Sequence, residues 1–258
     1  MRLKIWRSEK DGKNGRYDVF EISPKPGMTV LEALFEIQDA EDDSLGFRFA
    51  CRGAICGSCA MMINREMRLA CRTQVAGLDE SRSLGLKMFP ALQRPPSLAP
   101  TGEILVEPLP NLPILKDLIV DMTRFYETYR RIRPWIEPEA SRSEFSKMSQ
   151  EDCAKVEKYG NCILCAACFG SCPVCERDLQ YVGPHALAWA YRFIEDPRVG
   201  DEDTRMEIVS EDNGAPACDF VYNCVKVCPK DVSPAGAIRR LRDMIEKTKG
   251  HAGRPRSQ

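Results

Sequence analysis

The thirteen cysteines of this 258-residue chain fall into three groups: four between Cys51 and Cys71, six between Cys153 and Cys175, and three between Cys218 and Cys228. In a reduced compartment, thiols grouped in this way bind metal or do redox chemistry and do not pair as disulfides. The first group, Cys51-Arg52-Gly53-Ala54-Ile55-Cys56-Gly57-Ser58-Cys59, has C-x4-C-x2-C spacing and is completed by Cys71. That is the spacing of a loop wrapped around a [2Fe–2S] cluster, with the fourth thiolate coming from an adjacent strand. Gly53 and Gly57 are expected at positive φ, so that backbone amides turn toward sulfur. Structural zinc usually takes its cysteines as two short pairs. A redox dithiol of Cys56 and Cys59 leaves Cys51 and Cys71 unexplained.

The second and third groups belong together. Cys162-Ile163-Leu164-Cys165-Ala166-Ala167-Cys168-Phe169-Gly170-Ser171-Cys172-Pro173 has C-x2-C-x2-C-x3-C-P spacing, in which the last cysteine serves a different cluster from the first three. The partner run extends from Cys218 through Cys224 to Cys228-Pro229. The same crossing assigns Cys162, Cys165, Cys168 and Cys228 to a [4Fe–4S] cluster. It leaves Cys172, Cys218 and Cys224 for a second one. The position three after Cys218, where a fourth thiolate belongs, is Val221. Three thiolates and an apolar side chain favour a [3Fe–4S] cluster, the alternative being a four-iron cluster completed by Cys175. Cys153 and Cys175 receive no role, since a buried free cysteine is common and inert.

Two kinds of scaffold must position these residues. Arg2 to Arg7 and Tyr17 to Ile22 alternate as strands do. Thr29 is a candidate cap for a helix to about Asp39, with Val30, Leu31, Leu34 and Ile37 on one face. Ala60–Ile63 and Arg68–Thr73 read as a hairpin around Asn64-Arg65-Glu66, and Gly102–Glu107 as a last strand. From about Ile114 the recurrence of Leu115, Leu118, Ile119, Met122, Phe125, Tyr126 and Tyr129 predicts a core-facing helix. Pro184–Ile194 and Pro234–Thr248 read as further helices that open on proline. The pattern gives an α+β chain divided into residues 1–112 and residues 113–258, the second helical. The long stretch Ala76–Pro100 carries Leu84, Leu86, Met88, Phe89 and Leu92 close together, which predicts an ordered excursion packed on a partner's surface, the alternative being a surface loop whose apolar residues pack only on their own domain.

A net charge of -1, with Lys and Arg spread among Asp and Glu, argues against a nucleic-acid binder. No apolar run reaches the length of a membrane span, and the first ten residues lack the apolar core of a signal peptide. These features predict a soluble cytoplasmic chain that reaches a membrane only through a partner.

Taken together, the motifs resemble the iron–sulfur subunit of the succinate dehydrogenase and quinol:fumarate reductase family. The likeness runs from about Leu3 to Ile245. It is carried by Cys51 to Cys59, Arg68-Leu69-Ala70-Cys71-Arg72-Thr73, Glu107-Pro108-Leu109-Pro110 and the runs ending in Cys172-Pro173 and Cys228-Pro229-Lys230. The resemblance implies a β-grasp (plant-type ferredoxin-like) N-terminal domain and an all-α ferredoxin-like C-terminal domain. It implies an electron-transfer subunit with no substrate site of its own, lying between an FAD-bearing flavoprotein subunit and a quinone-binding membrane anchor at the cytoplasmic face of the cell membrane. A related subunit serving another donor, such as a thiol, is the alternative. Many members place a tryptophan soon after the first Cys-Pro, where this chain has Val174-Cys175-Glu176. That departure points to the branch with a single di-haem cytochrome b anchor.

Overall fold

The computed structural model describes residues 1–78, 84–87, 103–137, 147–200 and 202–252. Strands β1 (Arg2–Arg7), β2 (Arg16–Glu21), β3 (Ala60–Ile63), β4 (Glu66–Leu69) and β5 (Glu103–Glu107) form one mixed sheet in the order β2-β1-β5-β3-β4. β1 and β5 are parallel, with Leu3 opposite Ile104, and the other pairs are antiparallel. Alternation in β1 buries Leu3, Ile5 and Arg7 and leaves the residues between them less covered. Helix α1 (Val30–Ala40) begins where the sequence places it, because Thr29 and Glu32 cap each other reciprocally. Its buried face, Val30, Leu31, Leu34 and Ile37, packs with Leu3, Ile5, Ile63 and Val106 in one core.

The helix expected from Ile114 starts later than its apolar period predicts. Residues 114–120 form a small hairpin, β6 (Ile114–Lys116) and β7 (Ile119–Val120), and α2 (Thr123–Arg131) follows. The reason is Asp117, which sits at the turn with φ +49° and is 1% exposed. Its carboxylate accepts from Arg7 Nε at 3.1 Å and from the amides of Ser8 and Gly46, each at 2.8 Å. These partners lie in the sheet domain and fix a turn where helical backbone would otherwise continue. Leu118 accordingly packs into the core of the sheet domain.

The remainder is helical: α3 (Gln150–Gly160), α4 (Ala167–Gly170), α5 (Pro173–Arg177), α6 (Pro184–Ile194), α7 (Glu202–Ser210), α8 (Asn223–Lys226) and α9 (Pro234–Ala252). α6 is central. Ala186, Leu187, Ala190, Tyr191 and Phe193 are buried along it, and Ile238, Leu241 and Ile245 of α9 share the same core. Arg205 on α7 is fully buried. It donates to the carbonyls of Ile132, Arg133 and Trp135 and so satisfies the backbone that leaves α2. Among the described residues no helix is long and apolar enough to cross a membrane.

The excursion after Cys71 lies partly within the described residues. Its described residues are 76–78 and 84–87: Leu78 packs in the core of the sheet domain, the Leu84 amide donates to Glu66 Oε1 of β4, and residues 84–87 otherwise lie against the helical half of the same chain. Leu84 and Leu86 pack on its core, Lys226 Nζ donates to the Gly85 carbonyl, and Asn223 clasps Lys87. The Lys87 amide donates to Asn223 Oδ1 at 2.8 Å, and Asn223 Nδ2 donates to Lys87 O at 2.9 Å and to Ser171 O at 3.0 Å. Within these four residues the packing partner is therefore the chain itself. Met88, Phe89 and Leu92 lie outside the described residues. Fully buried Asn223 thus joins the strap to the segments bearing Cys172 and Cys224. Replacing it with leucine strands Ser171 O and the Lys87 backbone groups, at a cost of about 2–4 kcal/mol. On graded heating, Asn223→Leu should lose the spectroscopic signal of the third site before that of the first, which wild type should not.

Candidate functional site

Of the four cysteines in the first group, the loop Cys51–Cys59 supplies three and the turn after β4 supplies Cys71. Pairing of Ala60 with Leu69 zips the hairpin, so Cys59 just before β3 comes beside Cys71 just after β4, and the Ala70 amide donates to Cys59 O at 3.0 Å. Cys51 Sγ accepts from the amides of Gly53, Ile55 and Cys56, each at 3.3 Å, and the Cys51 amide points at Cys56 Sγ at 3.4 Å. The Gly53, Cys56 and Ile55 amides hold the exposed Cys51 thiol down to about 6. Burial pushes Cys59 up to about 12, with Cys71 alongside. The four thiols thus stand as two pairs, Cys51 with Cys56 and Cys59 with Cys71.

The backbone of this loop departs from expectation at one glycine. Arg52 and Ala54 take positive φ (+55° and +56°), and Gly53 between them does not. Aiming the flanking amides at Cys51 places the left-handed turns on either side of the glycine. Gly57 is at φ +73°, as expected, and a Cβ there would lie 2.8 Å from Ile163 O and 2.9 Å from Cys165 Cα and Cβ. No side chain fits between the first loop and the Cys165 loop.

The other seven cysteines of the motifs line two cavities. One is lined by Cys162, Cys165, Cys168 and Cys228. The other is lined by Cys172, Cys218, Cys224 and Val221. Burial pushes Cys165 and Cys224 up to about 12, and raises Cys162 and Cys218 as well. Buried thiols of this kind give up their protons when iron takes their place. Cys175 is fully buried and does not line the third cavity. Its thiol lies behind Cys172, whose pKa it lowers. Among the described residues no three His, Cys, Asp or Glu side chains gather as ligands of a single ion. A cluster does not ask for that, since each iron takes one or two protein thiolates.

The two ligand-bearing loops repeat one backbone conformation. Leu164 and Ala166 have φ of +52° and +62°, and Phe220 and Tyr222 have +51° and +62°. The short helices α4 and α8 follow directly. Val221 therefore stands in its loop where Cys165 stands in the other. Asn111, just beyond the Glu107–Pro110 motif, donates from Nδ2 to the carbonyls of Phe169 (2.9 Å), Gly170 (3.3 Å) and Cys172 (2.9 Å). That motif gains a role the sequence left blank, which is to hold the end of α4 between the second and third sites.

The surroundings carry buried polar atoms that no oxygen or nitrogen of the protein partners: the Tyr181 hydroxyl, Trp189 Nε1 and His185 Nδ1. Tyr181 lines the third cavity and His185 the second. None belongs to a motif, so sequence reasoning passed over all three. Orphaned polar atoms beside groups of thiols fit a site built around clusters.

Residues 2–127 match the 2Fe-2S iron-sulfur cluster binding domain family, and residues 154–229 match the 4Fe-4S dicluster domain family. The chain is 34% identical over 232 residues to the succinate dehydrogenase iron-sulfur subunit of Coxiella burnetii, covering 88% of each. It is 34% identical over 243 residues to the fumarate reductase iron-sulfur subunit of Escherichia coli O6:H1, covering 93% of this chain and 91% of that one. It belongs to the succinate dehydrogenase and fumarate reductase iron–sulfur subunit family. The fold of this iron–sulfur subunit is shared with a chain of the Mycobacterium smegmatis Sdh1 complex in the apo form, with a TM-score of 0.79, 23% identity and 96% of each chain covered. All eleven cysteines singled out in the sequence lie inside the two matched domains, which give the chain its [2Fe–2S] and [4Fe–4S] character.

Proposed function

We propose that this chain relays electrons between an FAD-bearing flavoprotein subunit and a quinone-binding membrane anchor, as the electron-transfer subunit of a membrane-bound succinate/fumarate oxidoreductase. The observation that carries this reading is the contiguity of the three thiol groups. Gly57 of the first loop lies against Cys165 of the second cavity. Cys168 and Cys172, one in each of the other cavities, are separated only by the end of α4.

In this reading Cys51, Cys56, Cys59 and Cys71 hold [2Fe–2S]. Cys162, Cys165, Cys168 and Cys228 hold [4Fe–4S], and Cys172, Cys218 and Cys224 hold [3Fe–4S]. Bound there, these groups supply one-electron carriers, and the chain's part is to ligate them, space them and exclude water. The five-stranded mixed sheet with α1 across it is read as a β-grasp domain over residues 1–112, and residues 113–258 as the helical ferredoxin-like domain. Exposed apolar side chains mark both ends of the series: Ile55 (68%) and Phe49 beside the first loop, Leu179 (69%) and Tyr222 beside the third cavity. Such patches mark interaction surfaces. The first is assigned to the flavoprotein and the second to the anchor, read as a di-haem cytochrome b at the cytoplasmic face of the membrane. The named relatives favour this reading over a relay that takes electrons from a thiol donor.

Metal analysis of the purified complex tests it. About nine irons per chain are expected, two, four and three in the respective clusters. Stoichiometric zinc without iron would sink the proposal.

A further inference from the structure

Two of the orphaned donors stand beside different cluster sites. The Tyr181 ring is 0% exposed, lines the third cavity together with Cys172, Cys218 and Cys224, and carries a hydroxyl with no oxygen or nitrogen partner in the protein. Trp189, on α6, has a buried indole N–H in the same condition. The thiol that the Tyr181 hydroxyl faces is Cys218, and the one that Trp189 Nε1 faces is Cys162. A buried donor without a partner costs on the order of 1–3 kcal/mol, so a fold that keeps two of them beside thiols has a use for both. The one carboxylate that lines the third cavity, Asp219, is taken by Arg177. Tyr181 lies among Val174, Pro184, Phe220 and Ile238, and the faces of Trp189 are taken by Tyr129, edge-on at 5.6 Å, and by Phe193, stacked at 5.8 Å.

We infer that Tyr181 and Trp189 are positioning donors that set the potentials of the third and second clusters separately, Tyr181 by donating its hydroxyl proton to the Cys218 thiolate and Trp189 its indole N–H to the Cys162 thiolate. This deepens the cluster reading above and rests on it. The physical basis is charge. Reduction adds an electron to a cluster whose thiolates are already negative, and a donor aimed at one of those sulfurs favours the reduced form more than the oxidised form. Each donor therefore raises the potential of its own cluster. The effect is local, because the two donors touch thiolates of different clusters.

The test is a redox titration of the purified complex followed by EPR, comparing wild type with Tyr181→Phe and Trp189→Phe. Both variants keep an aromatic ring in place; Tyr181→Phe removes only the hydroxyl, and Trp189→Phe removes the N–H donor together with part of the indole ring. Tyr181→Phe should move the third cluster to lower potential by about tenfold in its oxidised-to-reduced ratio at fixed ambient potential, or about 59 mV for a one-electron couple. The second cluster should stay where it was. Trp189→Phe should do the reverse. Unmoved potentials in variants that retain both signals overturn the assignment of the donors and leave the clusters standing, as does an equal shift of both clusters in either variant. Absence of the two signals from wild type brings down the inference and the cluster reading together.

Discussion

Placing cysteine at position 221 should convert the third site from three irons to four and lower its potential. Val221 lines the cavity with Cys172, Cys218 and Cys224. It occupies the loop position that Cys165 occupies in the neighbouring site, on backbone with matching positive-φ residues on either side. A thiol there meets the cluster without any rearrangement of the chain. Left-handed conformations at Phe220 and Tyr222 cost energy for non-glycine residues, so the loop is already held in the shape a fourth ligand needs. The added thiolate brings negative charge next to the cluster and disfavours the reduced form. In Val221→Cys the paramagnetic signal of the oxidised three-iron cluster should disappear, and iron should rise by about one atom per chain. Persistence of the three-iron signal in a variant whose introduced thiol is intact would refute the assignment of the fourth corner to position 221. An oxidised wild-type protein silent at this site would mean that another ligand fills the corner. Cys175, whose thiol hydrogen-bonds with Cys172 but does not line the cavity, is the nearest spare thiol.

Asp117→Ala should be the most destabilising single change outside the cysteines. The carboxylate is the buried hub of Arg7, Ser8 and Gly46, and Ser8 Oγ accepts from the Asp117 amide at 2.9 Å in return. Arg7 is itself buried. It keeps Asp42 as a partner and holds that carboxyl down to about 2. Removing Asp117 still leaves Arg7 Nε and two amides without acceptors. Breaking a buried pair from one side costs about 3–5 kcal/mol, which for a chain of this size lowers the unfolding midpoint by the order of 10 °C. Asp117→Asn, which keeps an acceptor, should recover part of the loss. A midpoint within a degree or two of wild type would show that the hairpin β6–β7 is held by Leu118 and Val120 alone.

The cysteine spacings were the most legible part of this protein, because cluster ligation constrains both residue type and interval. Seven of the eight cysteines from Cys162 to Cys228 line two cavities, four in one and three in the other, and Cys175 lines neither. The sheet was legible for a similar reason: alternation in Arg2–Arg7 and the Thr29 cap are local signals. Ile114–Val120 misled because its apolar period satisfies a helix and a hairpin alike, and the deciding residue, Asp117, acts through partners more than seventy residues away. The excursion was legible in part. Leu84 and Leu86 announce burial, but composition does not say against what. Tyr181, Trp189 and Asn223 were illegible because their significance lies in which sulfur or backbone group they face.

The crossing of the chain between its two helical sites also bears on the unfolded state. With the proposed ligands, the second cluster joins Cys168 to Cys228 and the third joins Cys172 to Cys224, so each closes a loop of some fifty to sixty residues that contains α5, α6 and α7. As cross-links, by the loop-entropy account used for disulfides, each removes roughly 4 kcal/mol of conformational freedom from the denatured chain. The two loops are nested and share the same span, so the second closure adds less than the first. Oxidative loss of either cluster then leaves the helical half held at one point, and loss of both removes most of its tether. Damage to a conductor would in this way be reported as unfolding, and the chain would be marked for replacement by the same event that stops its electrons.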